Sequence, residues 1–395
     1  MMSPTLMSAL PAQFWWKGSD WERAGRSGAS SPDRGGYRPN LGGRLWRDDC
    51  GFSRYYWKIF LFFYILFCCL LISFKMFLIV FFSIILLWLL FVFFFPQFYL
   101  CELVISFLPY ICALSWILFI LSFVFRKKKY FQKVFPLFVL LFGLVFFLYS
   151  RKYWAFYTWE WFSWDSWNKE WLDILYSNIL YKTKNYEELN NWIVENEADV
   201  VLMVEFTDDF WDNMKEVFDE KYPYSSRVEY SDKYYGNVVF SKYPIKNLTE
   251  EIEWWKWRYS YFSLNYSGID YYIYLVHTAA PVSLKHFRMR NNQIQELIWD
   301  FAGKTYWEND RVLVIGDFNL SPWSYYYFSL EDWLNNMKNL TKNFSRLFTW
   351  SYRNLWIIYS HIDHVFIDWN SNVDDVIQVE TPWSDHKGFF IRNFR

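Results

Sequence analysis

The sequence is short of several things, and each shortage excludes something. Its five cysteines, Cys50, Cys68, Cys69, Cys101 and Cys112, all precede residue 113. A cysteine-liganded zinc site is therefore excluded from the C-terminal region, and cysteine usage says nothing about redox compartment. Net charge is close to zero, with 40 Lys plus Arg against 41 Asp plus Glu. That balance hides a division: residues 151–395 carry 25 basic and 35 acidic side chains, with no two adjacent Lys or Arg beyond Arg151-Lys152. Such a surface repels a polyanion, because affinity for nucleic acid comes mainly from cations that neutralise phosphates. A nucleic-acid partner is thus disfavoured. No internal repeat is visible.

What is present in excess is apolar and aromatic. Hydrophobic residues make up 54% of the 395 and aromatics 25%, more than an ordinary globular chain carries. Residues 57–95 are almost unbroken Leu, Ile, Phe and Val, and 103–125 and 134–149 repeat the pattern. Because about 20 apolar residues cross about 30 Å of hydrocarbon, residues 54–152 are expected to form three or four transmembrane helices. Their near lack of polar side chains, apart from Lys75 and Glu102, argues against a channel or transporter, whose pathway needs several. Arg126-Lys127-Lys128-Lys129 separates two of the runs, and the positive-inside rule assigns such a cluster to the cytoplasm. One further span then carries the rest of the chain to the opposite, extracytoplasmic side. Residues 1–53, rich in Gly, Ser, Pro and Arg, read as a disordered tail. Residues 153–167 hold Trp154, Phe156, Tyr157, Trp159, Trp161, Phe162, Trp164 and Trp167. They read as an interfacial linker at headgroup level, or as aromatics packed onto the following domain.

From Trp171 onward the texture changes to short apolar strands and amphipathic helices. Strands are expected at 172–177, 199–205, 237–241, 259–265, 271–277, 311–315, 361–367 and 388–392, and helices at 186–197 and 286–301, from length, period and β-branched content. Strands and helices without strict alternation point to an α+β sandwich over 168–395. Polar side chains that terminate apolar strands form a set of their own, since they sit at a sheet rim where a site can form. Asn178 follows LDILYS, Glu205 follows ADVVLMV, His277 follows YYIYLV, Asp317 and Asn319 follow RVLVIG, and Asp385 and His386 precede the last strand.

The order of NIL (178–180), DVVLMVE (199–205), GNVVFSKYP (236–244), VHTAAP (276–281), IGDFNLSPWS (315–324), IDHVFI (362–367) and SDH (384–386) resembles the endonuclease/exonuclease/phosphatase superfamily, and the helices ahead of it resemble its membrane-anchored bacterial subset. The resemblance implies a four-layer αββα sandwich, two facing mixed sheets flanked by helices, with the site at one rim. It implies a Mg²⁺ or Mn²⁺ ion held mainly by Glu205, with Asn178 and Asp385 completing or bordering its shell. Asp317 and Asn319 match the pair that places the attacking water and holds the phosphate. His386 matches the histidine beside the scissile phosphate, Asp363 the carboxylate that orients it, and His277 the second histidine, which stabilises developing charge or assists the leaving group. Many nucleases of this kind have an Asp two residues after the first Asn; Leu180 stands there, which leans toward single-metal, phosphatase-like relatives.

Residue chemistry supports the same roles independently. A phosphoester repels hydroxide, so a cation must neutralise it and a fixed acceptor must position water in line. Ordinary explanations exist for single members: Asp317 and Asn319 as turn formers, Glu205 as a helix cap, His286 as a surface or capping residue. A zinc site at His361, Asp363 and His364 is disfavoured, because alternation along a strand turns His364 away from the other two. The aromatic segment Trp254 to Phe262 packs in the core or touches lipid or substrate. The expected protein is a membrane-anchored hydrolase of phosphomonoesters or phosphodiesters, with lipid-linked or envelope phosphate preferred. Its rivals are an extracytoplasmic nuclease and an inactive membrane-bound binding module.

Overall fold

The computed structural model describes residues 97–124 and 171–395, except 229–235, 249–258, 335–336, 343–347 and 353–358, with separate positions between 80 and 95 and between 136 and 147. The chain divides into two units, Met1–Phe67 and Cys68–Arg395, and every described residue belongs to the second. Its elements run α1 (Tyr99–Ser106), α2 (Leu108–Val124), β1 (Leu172–Asn178), α3 (Tyr186–Asn196), β2 (Val200–Val204), α4 (Asp208–Lys221), β3 (Tyr224–Val228), β4 (Asn237–Ser241), β5 (Ile245–Asn247), β6 (Tyr259–Tyr266), β7 (Ile269–His277), α5 (Leu284–Ala302), β8 (Arg311–Asp317), α6 (Tyr325–Trp333), β9 (Met337–Asn339), β10 (Trp350–Ser351), β11 (Tyr359–Ser360), β12 (Asp363–Asp368), β13 (Asp375–Glu380) and β14 (Lys387–Phe394).

The strands form two six-stranded sheets, ordered β13-β14-β1-β2-β4-β3 and β5-β6-β7-β8-β12-β9, with a small ribbon of β10 and β11. Each large sheet has a parallel pair joined through a helix, β1 to β2 through α3 and β7 to β8 through α5, and the remaining pairs are antiparallel. Period-two alternation sorts the side chains into layers. Ile174 and Tyr176 of β1, Leu202 of β2, Ile273 and Leu275 of β7, Leu313 and Ile315 of β8 and Val365 of β12 meet between the sheets. Their alternates, Leu175, Val201 and Met203 on one sheet, pack under α3 and α4. Val312 and Val314 on the other sheet pack under α5 and α6. The α+β sandwich expected for 168–395 is therefore present in four layers, and the core sits on three planes rather than one.

The helices begin where polar caps satisfy free backbone donors. Asn185 accepts from Glu188 N at the start of α3, Ser283 from His286 N at α5, and Ser324 from Tyr326 N at α6. His286 thus lies in the first turn of α5.

Among the described residues no helix is long and apolar enough to cross a membrane. Most of the 54–152 region expected to span lies outside the described residues, as do the tail 1–53 and the linker 153–167. Where that region is described, it departs from a single run over 103–125. The helix breaks at Phe107, ahead of Pro109, whose ring removes an N–H, and resumes as the 17-residue α2. The preceding turn is not lipid-like: Cys101, Glu102, Ile105 and Leu108 are buried, and Cys101, Ile105 and Leu108 join the core beside Ile294 and Leu297 of α5. Further out along α2, Leu114, Ile117, Ile120 and Val124 are exposed.

Candidate active site

Strand register delivers one half of the site. On the second sheet β7, β8 and β12 lie side by side, and pairing sets His277 against Asp317 and Asp317 against Asp363. All three share the parity of the inward residues Ile273, Ile315 and Val365, so alternation aims them at the facing sheet. Gly316 permits the approach: a Cβ there would stand 1.9 Å from Val276 O, at a φ of +152°.

The first sheet supplies the other half. Asn178 ends β1 with the inward parity of Ile174 and Tyr176. Glu205 follows β2, where simple alternation would turn it outward with Met203. Its φ of 61° lies in the left-handed region and redirects the carboxylate inward. His386 stands one residue before β14. Leu180 and Asn319, at the same rim, also have left-handed φ values of 56° and 48°. For a non-glycine residue that conformation is strained, and such strain persists where surrounding structure over-determines it.

The side chains converge. Asn178 Nδ2 lies 3.1 Å from Glu205 Oε1, 3.1 Å from Asp317 Oδ2 and 3.4 Å from His386 Nε2. Tyr181 N donates to Glu205 Oε2 at 2.9 Å. His386 Nδ1 lies 3.0 Å from Asp363 Oδ2, and its Nε2 3.7 Å from Asp317 Oδ2. His277 Nε2 is 3.8 Å from Glu205 Oε1 and 3.9 Å from Asp317 Oδ2, beyond hydrogen-bond range but inside the cluster. Asn319 N donates to Asp317 Oδ1 at 2.8 Å, and its Nδ2 donates to Thr278 O at 3.0 Å. Asp385 is half-buried: Trp350 Nε1 donates to Oδ2 at 3.1 Å, while Oδ1 has no hydrogen-bond partner among the described residues.

Several members of this network carry neutral hydroxyls and were not expected from sequence. Tyr176 donates its hydroxyl to Asp363 Oδ1 at 2.8 Å. Ser384 donates to Asn178 O at 2.7 Å and accepts from His386 N at 3.0 Å, tying the two sheet-one residues together. Thr349 Oγ1 accepts from both Ile362 N and Asp363 N. Tyr176 had one signal, its position two before Asn178 on the same strand face. Asn178, expected to complete or border the metal shell, lies between acids of the two sheets. Its Oδ1 accepts from Leu180 N at 3.1 Å and its Nδ2 faces carboxylates, so it braces Glu205 and Asp317 as a donor.

Burial and mutual charge set the protonation states. Burial raises the Asp317 carboxyl, Asp363's charge raises it further, and the His386 cation opposes both, leaving it at about 8. Burial also raises Glu205 above its ordinary value, against the Tyr181 N–H and the His386 charge. Burial alone would depress His386, but the Asp363 and Asp317 carboxylates outweigh it and hold the imidazolium up to about 10. His364 goes the other way, lowered to about 4 by burial. It donates Nε2–H to Leu320 O at 2.8 Å and lies among Phe318, Tyr327 and Phe366. His364 is a neutral core histidine, which accounts for one tempting member of the zinc reading.

Asp317, Asp363 and His386 each offer a ligand atom within 4.8 Å of the others and can together surround a cation. Asp363, however, spends both oxygens, on Tyr176 and on His386, and both Asp317 and Asp363 are fully buried. A hard divalent ion that keeps several waters fits better at the open side. There Glu205 retains 14% side-chain exposure and Asp385 has its uncommitted Oδ1. Four carboxylates around two imidazoles are an excess of negative charge that such an ion neutralises.

This convergence of acids, imidazoles and amides is the candidate centre, with the groups that hydrolysis of a charged ester calls for. Residues 175–386 match the Endonuclease/Exonuclease/phosphatase family, and the chain belongs to it. The protein is accordingly a metal-dependent hydrolase of ester bonds. No curated protein matches the chain. Among solved structures, TDP2 of D. rerio complexed with single strand DNA product is similar at 16% identity and a TM-score of 0.46, covering 57% of this chain and 98% of that one. A mutant beta toxin of Staphylococcus aureus with bound magnesium ions is similar at 16% identity and a TM-score of 0.42, covering 56% and 99%. Sphingomyelinase C of Streptomyces griseocarneus is similar at 18% identity and a TM-score of 0.41, covering 56% and 98%.

Proposed function

We propose that the protein is a membrane-anchored phosphoesterase that uses Mg²⁺ or Mn²⁺ to hydrolyse a phosphomonoester or phosphodiester, with its centre on the extracytoplasmic side and a lipid-linked or envelope phosphate as substrate. The observation that carries the chemistry is the meeting of Glu205, Asn178 and His386 from one sheet with Asp317, Asp363 and His277 from the other.

Glu205 and Asp385 would hold the cation, which when bound neutralises the phosphoester charge. Asp317, fixed by Asn178 and by Asn319 N, accepts the proton of the attacking water; its raised affinity for protons matches that task near neutral pH. His386, kept cationic by Asp363, faces the phosphate and stabilises the charge that develops on it. His277 adds a donor from the adjacent strand.

Membrane attachment is supported by the apolar runs ahead of the domain and by the outward Leu114, Ile117, Ile120 and Val124 of α2. Tethering raises the effective concentration of headgroup substrates. Beside the centre an open cavity of about 500 Å³ is lined by Leu180, Lys182, Thr183, Lys184, Asn185 and Trp383. An aromatic face with cations nearby suits the non-reacting part of a phosphorylated substrate. The 25 basic against 35 acidic residues of 151–395 weigh against a nuclease.

The test is a substrate panel with the full chain in detergent: DNA, nucleotides, inositol phosphates and lipid pyrophosphates, each with Mg²⁺ and with chelator. Lipid pyrophosphate turnover that requires the metal is expected. Turnover confined to DNA would replace this reading with the nuclease.

A further inference from the structure

Glu102, a charged residue just ahead of the apolar run 103–125, has a charged partner. Its Oε1 lies 3.0 Å from Arg290 Nη1, and the two side chains are 0% and 1% exposed. α1 is thereby joined to α5 across 188 residues of sequence. The Tyr99 ring lies tilted against that of Phe287, with ring centres 5.4 Å apart, and Tyr359 N donates to the Tyr110 hydroxyl of α2 at 2.5 Å. The segment ahead of the domain is docked on it.

Arg290 points onward to the centre. The same Nη1 donates to the main-chain oxygen of Asn319 at 3.0 Å, while Nε and Nη2 both donate to Asn291 Oδ1. Its guanidinium lies over the rings of Phe287 and Tyr326. Asn319 is the left-handed residue of the Asp317 turn. Its N–H is held by Asp317 Oδ1 and its carbonyl by Arg290, so the strained peptide is fixed from both ends.

The pair is a poor packing device. Glu102 Oε2 is buried with no hydrogen-bond partner among the described residues, and well-packed apolar residues would join α1 to α5 without burying two charges. We propose that Arg290 is a positioning residue that sets the Asn319 turn, and that Glu102 holds Arg290 in the orientation required, which makes α1 part of the hydrolytic apparatus. The inference rests on the reading of Asp317 and Asn319 as catalytic residues.

The test uses the full chain in detergent, Mg²⁺ and bis(p-nitrophenyl) phosphate, with kcat, KM and thermal unfolding measured for each variant. Arg290→Met strands a buried carboxylate and is expected to lose both stability and turnover. Glu102→Met with Arg290→Met removes both charges and restores the unfolding temperature. Its kcat is expected to stay about ten-fold or more below wild type with KM changed less than about two-fold, the signature of a lost transition-state interaction. Wild-type kcat in the folded double variant would overturn the inference. Should that variant not fold, Arg290→Lys, which keeps the charge but not the fork, decides in the same way. Asn319→Ala is the control: full activity there removes the site reading itself, whereas an inactive Asn319→Ala beside a fully active double variant removes only the role of Arg290.

Discussion

His386 Nδ1 and Asp363 Oδ2 lie 3.0 Å apart although their strands belong to different sheets, and Tyr176 holds the second oxygen of the same carboxylate at 2.8 Å. The dyad therefore spans the sandwich, and its geometry depends on how the sheets pack. The carboxylate fixes the tautomer and orientation of the ring and favours its charged form.

Asp363→Asn keeps the shape but removes the charge that does most to hold the imidazolium. We expect kcat to fall by about 10²-fold, within the range of general acid–base contributions. Steady-state kinetics with an unchanged circular dichroism spectrum checks this.

The pH dependence follows from the two shifted groups. In the proposed roles Asp317 acts ionised and His386 protonated, so a bell-shaped profile is expected. Its acid limb is displaced well above the ordinary carboxylate range, because burial and Asp363 raise Asp317. Its alkaline limb is set by the raised His386. In Asp363→Asn the alkaline limb moves to lower pH, and a limb that stays in place contradicts the assignment.

Stability without metal has a definite sign. Asp317 and His386 both bind their protons more tightly in the folded than in the unfolded chain. Their contribution is present below the unfolded values of 3.8 and 6.5 and is lost as pH rises through the folded ones. In chelator the unfolding temperature should thus fall from pH 6 to pH 9. Added Mg²⁺ should offset the loss, since a ligand of the folded state raises its stability with concentration. Glu205→Gln should abolish that Mg²⁺ response.

Tyr176→Phe removes one hydroxyl from a buried carboxylate. An unsatisfied buried acceptor costs about 1–3 kcal/mol, so this variant should unfold at lower temperature and lower kcat several-fold while KM stays near wild type. Differential scanning calorimetry and kinetics on the same sample separate the two effects.

The sandwich was legible because its central strands write their burial plainly: LDILYS, ADVVLMV and RVLVIG are continuous apolar runs that end in polar residues. The eight site residues expected from the motifs lie at one rim because strand ends can be read without coordinates; side-chain parity fails at Glu205, which a left-handed φ turns inward. What escaped was set by tertiary contact. β13, DVIQVE, is a half-exposed edge strand and α6, YYYFSLEDW, is mostly aromatic, so neither has a clean period. Tyr176 and Ser384 carry neutral hydroxyls, which acquire a role only from what they face. Glu102 was read among apolar neighbours, and only the fold shows that its partner is Arg290. The Leu180 N–H that holds the Asn178 oxygen depends on a left-handed turn that the sequence does not announce.

The most direct measurement is the Mg²⁺-dependent hydrolysis rate of the full chain against Glu205→Gln and His386→Ala, with folding confirmed for each. One residue would hold the cation and the other faces the phosphate, so both variants should lose about 10³-fold or more. Two folded variants hydrolysing at the wild-type rate would contradict the claim that this cluster is where the ester bond is cleaved.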